Sequence, residues 1–93
     1  MYIGAHVRAS GGVWKAIDNG VELAFAAIQF FAGSPRTWKP RLYSEEDAAR
    51  FRGARAASPI RFVLIHTIYL INLASTNEDF YEKSVTALCG ALR

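Results

Sequence analysis

The chain has two histidines, and each stands near the end of an apolar run: His6 in "YIGAHV" and His66 in "LIHTIYLINLAS". Strand side chains alternate with a period of two, so Phe62, Leu64 and His66 share one face of an extended segment. His66 is the last residue on that face. An imidazole in that place can be a metal ligand, or a strand-end histidine satisfied by a backbone hydrogen bond, and the local pattern leaves both readings open. Two other groups are set aside. Cys89 has no neighbouring His or Cys in sequence and reads as a small buried hydrophobe. Glu45, Glu46 and Asp47 read as helix-start charge rather than as a catalytic carboxylate pair.

The elements that must position these residues follow from periodicity and punctuation. Residues 2–7 read as a short strand followed by the small-residue loop "RASGG". A helix is expected from Val13 to Leu23, with Trp14, Ile17, Val21 and Ala24 toward a sheet; Gly20 weakens it by roughly 1 kcal/mol relative to Ala. "AAIQFFA", residues 26–32, reads as a second strand and "GSPRTWKP" as a loop. Ser44 is the expected N-cap of a second helix whose thin apolar stripe is Ala48, Phe51 and Arg55, and Pro59 separates it from a third strand over residues 61–67. A third helix is expected from Asn77 to Leu92, with Val85, Leu88 and Leu92 on its apolar side, and Trp38 is expected to brace its own loop, residues 33–40. The strand-then-helix unit thus occurs three times, at about 30 residues each, which is βαβ construction with right-handed crossovers.

Both faces of the third strand are apolar, the pattern of a parallel strand covered on both sides. The run from Ile60 to Ala74 is too short for a membrane span and carries Arg61, His66 and Asn72. With 93 residues, 52% of them hydrophobic, and a net charge of +3, the chain is at most one domain and has more oil than so short a length readily buries. That surplus implies a partner. The mild basicity permits an anionic ligand without requiring one. A lone cysteine excludes an internal disulfide, and the absence of a signal-peptide pattern makes a cytoplasmic location the expectation. A (β/α)₈ barrel takes about 250 residues, so three units are either a little over a third of one or a complete small α/β domain.

"YIGAHVRASGG", "QFFAGSPRTW" and "HTIYLINLAS" resemble, in order and spacing, the first third of the endonuclease IV family of zinc-dependent apurinic/apyrimidinic endonucleases. The resemblance implies the first three β/α units of a TIM barrel that is not closed within this chain. In the family three zinc ions serve phosphodiester hydrolysis, where metals supply a nucleophile and hold the attacking and leaving oxygens. His66 matches a zinc-ligating histidine, and His6 a histidine lining the same region in a supporting or packing role. Arg36, Tyr69 and Leu70 match residues that enter damaged double-stranded DNA at an abasic site, where an apolar wedge replaces lost stacking and a cation sits among phosphates. The plain alternative makes Tyr69 and Leu70 core residues and Arg36 a solvated charge.

The chain also departs from the family. Ser34 stands in place of an asparagine, Ile68 in place of a proline, and Ala24 and Pro59 in place of glycines. At Ala24 the left-handed cap conformation becomes less accessible. The sequence ends at Arg93, before the segments that carry the family's other zinc ligands, and one histidine cannot build a site that needs three or four. The expectation is a repair-endonuclease portion without catalysis of its own. The alternative is a non-catalytic DNA-binding module that keeps the inserting loops. Unpaired sheet edges and apolar faces add an expectation of self-association.

Overall fold

A computed structural model of the chain describes residues 1–39 and 41–92; Pro40, in the predicted loop, and Arg93, where the sequence ends, lie outside them. The elements run β1 (Gly4–His6), α1 (Lys15–Glu22), β2 (Ala27–Phe31), α2 (Glu45–Ala56), β3 (Phe62–His66) and α3 (Glu78–Ala91). Three parallel strands form one sheet in the order β1-β2-β3, with Gly4, Ala5 and His6 in register with Ala27, Ile28 and Gln29. The sheet does not close, and β1 and β3 are its edges. No helix among the described residues is long and apolar enough to cross a membrane.

The chain forms two compact units. The first contains Met1–Phe30 and Tyr43–His66; the second contains Phe31–Leu42 and the segment from Thr67 onward. The first holds the hydrophobic core of Val7, Val13, Ala16, Ile17, Ile28, Phe30 and Ile60. Its largest apolar members, Phe30, Ile17 and Ile28, each contribute roughly 1.5–3 kcal/mol by leaving water. Alternation along β2 sends Ile28 and Phe30 into this core and leaves Ala27, Gln29 and Phe31 half-buried on the other face.

Helix α1 starts two residues later than the sequence pattern predicts and buries a different stripe. Ala16, Ile17 and Gly20 face the sheet, while Val21 is 43% exposed. Gly20 sets this rotation, because a Cβ there would stand 2.5 Å from Ile28 Cγ2. The glycine that weakens the isolated helix is what lets it approach β2. The helix ends in a Schellman motif, with Phe25 N–H bonded to Gly20 O and Ala24 N–H to Val21 O, both at 3.0 Å. Ala24 therefore adopts the left-handed conformation after all, at φ +60°.

In α2, Ser44 and Asp47 form the reciprocal capping box, each side chain bonded to the other's backbone N–H. None of its residues is fully buried. Phe51 packs on Phe30 at 5.9 Å and Arg50 lies 4.0 Å over the Trp14 ring, so Trp14 is half-buried cover rather than inner core. Strand β3 departs most from expectation. Of its two apolar faces only Val63 packs against the core; Phe62, Leu64 and Ile65 are exposed, Leu64 at 59%. The sequence signal for a doubly covered strand is present, but the described residues do not supply the cover.

In the second unit α3 begins at Asn77, whose side chain accepts from Phe80 N–H at 3.1 Å. The predicted apolar side is weak, since Val85 and Leu92 are exposed. Cys89 is exposed too, which corrects its reading as a buried hydrophobe. The only fully buried side chain described on the helix is Ser84.

Candidate functional site

In the first unit, parallel strands carry His6 and His66 to the same end of the sheet. Their ring centroids are 6.2 Å apart and their planes cross at 78°. Between them in strand order lies Gln29, in register with His6, and its Nε2 is 3.1 Å from His6 Nδ1. An amide nitrogen donates, so in this orientation Nδ1 accepts and the ring proton sits on Nε2. Gln29 is a partner that sequence reasoning missed; the alternation that put His66 on one face of β3 would have found it on β2. Phe62 and Leu64 share the face of His66, and Tyr2 meets Phe62 edge-on at 5.0 Å. A shallow concavity of about 270 Å³ runs over this face, walled by His6, Gln29 and Leu64.

Among the described residues no three His, Cys, Asp or Glu side chains converge, and zinc sites take three or four protein ligands. Two imidazoles, one of them engaged by Gln29, do not by themselves fit a zinc ion.

In the second unit, two loops are tied together. Tyr69 N–H donates to Pro35 O at 2.9 Å, which fixes the backbone beside Arg36 against the start of the Tyr69–Leu70 pair. The Tyr69 ring meets Phe31 edge-on at 5.3 Å and is still 64% exposed. Arg36 is exposed, and Leu70 lies just on the exposed side. Trp38 stacks on Phe80 with centroids 6.3 Å apart, the bracing expected of an indole in that loop. The far end of the Tyr69 loop is held by Ser84. Its hydroxyl accepts from Asn72 N–H at 2.9 Å and donates to Phe80 O at 2.7 Å. A serine on the sheltered side of an otherwise mixed helix is the only sequence signal for this role.

No family model matches the chain. A protein named "Probable endonuclease 4" from Cenarchaeum symbiosum is 39% identical over 92 residues, which are 97% of this chain and 33% of the relative. Another of that name from Halorhodospira halophila is 43% identical over 86 residues, 92% of this chain and 29% of the relative. Among solved structures, endonuclease IV from Thermus thermophilus superposes with a TM-score of 0.91 at 38% identity, over 97% of this chain and 34% of that one. The chain therefore spans about a third of the length of the relatives it matches. Its three parallel strands and their helices match a part of the endonuclease IV TIM barrel, and the sheet is open within this chain. In sequence and in fold this chain is a homologue of the endonuclease IV proteins over about one third of their length.

Proposed function

We propose that this chain is the lesion-facing portion of an endonuclease IV-like DNA repair protein that hydrolyses phosphodiester bonds at abasic sites with zinc. The 93 residues alone do not perform that step. The observation that carries the reading is the Tyr69 N–H to Pro35 O bond, which sets an exposed ring and an exposed guanidinium on adjoining loops. Tyr69 and Leu70 act as the wedge that fills the gap left by a missing base, and Arg36 as the cation that meets the neighbouring phosphates. His66 contributes one imidazole to a zinc site whose remaining ligands the described residues do not provide, and His6, held by Gln29, has a supporting role. No catalytic residue is assigned within the chain.

The same ligand count favours a second reading, a non-catalytic module that binds damaged duplex through these loops. Either way, exposed Phe62, Leu64 and Ile65 on β3 are the surface through which copies of the chain would self-associate.

The test is paired binding curves on a duplex with one abasic analogue and on its intact counterpart, at fixed salt, with incision followed in the same tubes. The parent chain prefers the damaged duplex and cuts neither. Stacking by an aromatic is worth roughly 1–3 kcal/mol, so Tyr69→Ala shrinks the damaged-to-intact ratio by about one order of magnitude. Arg36→Ala shrinks it as well. A ratio unchanged in both variants sinks the loop assignment, and chelator-sensitive incision by the parent chain sinks the claim that it lacks catalysis.

A further inference from the structure

At the other end of β3 from His66, a full strand length or about 16 Å away, α2 turns into the strand around a shallow concavity of about 600 Å³. Three arginines line it: Arg52, Arg55 and Arg61. One carboxylate answers them, Glu45, which pairs with Arg52 from a position seven residues earlier. Among the described residues neither Arg55 nor Arg61 has an ionic partner. Like charges gathered around one hollow raise its potential, and an anion relieves it.

The Arg55 side chain is placed rather than free-swinging, and the Arg61 backbone is fixed. Arg55 donates from one Nη to Arg61 O at 3.0 Å, which points its guanidinium along the turn while its other donors stay available. Arg61 is fixed at the strand start by its own N–H, which donates to Ala26 O at 2.7 Å. Buried Ile60 anchors the turn beneath them.

The floor says which anion. Pro59 has no N–H, Ile60 N–H is spent on Ser58 Oγ at 3.2 Å, and Arg61 N–H is spent on Ala26 O. The turn therefore offers no main-chain donor from residues 59 to 61 to pair with a peptide's carbonyls; it offers guanidinium forks. A ligand made only of acceptors suits it, and successive phosphates suit an open trough in which Arg52 and Arg55 are helix neighbours with Cβ atoms roughly 5–6 Å apart. We infer that the α2–β3 turn is a sequence-independent binding site for the phosphodiester backbone of nucleic acid, with Arg55 and Arg61 as its principal contacts. The site does not rest on the lesion-recognition reading.

The experiment measures affinity of the 93-residue chain for an intact duplex between 50 and 200 mM salt. Each phosphate contact contributes about 0.9 to the slope of log affinity on log salt, so losing two lowers its magnitude by about 1.8. The parent should then lose roughly tenfold more affinity across that range than Arg55→Gln/Arg61→Gln. Arg55→Lys/Arg61→Lys keeps the charge and should keep most of the slope, which separates charge loss from misfolding. Lys15→Gln/Lys83→Gln removes the same charge elsewhere and should leave the slope in place. The inference is overturned if the arginine-to-glutamine pair keeps the parental slope, if the lysine-to-glutamine control loses as much, or if inorganic tripolyphosphate binds while duplex does not. A lost slope beside an unchanged damaged-to-intact ratio in the arginine-to-glutamine pair supports the inference and shows that the turn acts separately from the lesion-facing loops.

Discussion

Ala24 shows a single residue holding a conformation that its side chain opposes. Its Cβ meets the following carbonyl in the left-handed region, at a cost of roughly 1–2 kcal/mol that glycine avoids. The Schellman bonds from Ala24 and Phe25 hold it there. Ala24→Gly is expected to raise stability by about 1 kcal/mol, less a fraction for glycine's freer unfolded chain, read as a higher denaturant midpoint at unchanged slope. At this scale the sequence was legible where a strict period governs. The alternation of β3 put Phe62, Leu64 and His66 on one face, and the structure agrees. It was less legible where one contact decides. Nothing short of knowing that Gly20 meets Ile28 would show that α1 turns Val21 outward. Cys89 faces solvent because α3 buries so little.

Element by element, caps read best because they are written in adjacent residues. Ser44 announces the start of α2 by its type, while the reciprocal bond from Asp47, read in the sequence only as helix-start charge, emerges in the structure, and Asn77 caps α3 from one side only. Ser44→Ala removes the hydroxyl that accepts from Asp47 N–H and is expected to cost about 1 kcal/mol in a denaturant titration, while Glu46→Gln, at the same helix end, should cost only a few tenths. Strand existence was also legible, with ends shifted inward by one or two residues. What could not be read was cover. The composition of β3 calls for material on both faces, and that demand is visible in sequence, but its supplier is not. Likewise the two ties of the loop after β3, to Pro35 and to Ser84, could not be read, because they join residues far apart in the chain, and the wedge reading proposed for that loop comes from the family motif alone.

For the whole molecule, the self-association proposed through exposed β3 predicts concentration dependence. Phe62, Leu64 and Ile65 lie on an edge strand, and such edges pair with other chains. Sedimentation velocity across a hundredfold range of concentration should show mass above that of one chain, with Leu64→Lys shifting the distribution toward the monomer; a single concentration-independent monomer would refute self-association. The two units also differ in what orders them. The first is held by buried oil, whereas the only fully buried side chain described in the second is the Ser84 hydroxyl, with its two hydrogen bonds. Heat capacity follows apolar surface, so opening the first unit should carry a large heat-capacity increment and opening the second a small one. Amide exchange followed from 5 to 40 °C should then give a curved free energy for Val7 N–H, which is bonded to Gln29 O beside the core. For Asn72 N–H, bonded to Ser84, it should give a nearly straight line. The loops that carry Arg36 and Tyr69 would loosen steadily with warming, without the cold-side weakening of a structure held by oil.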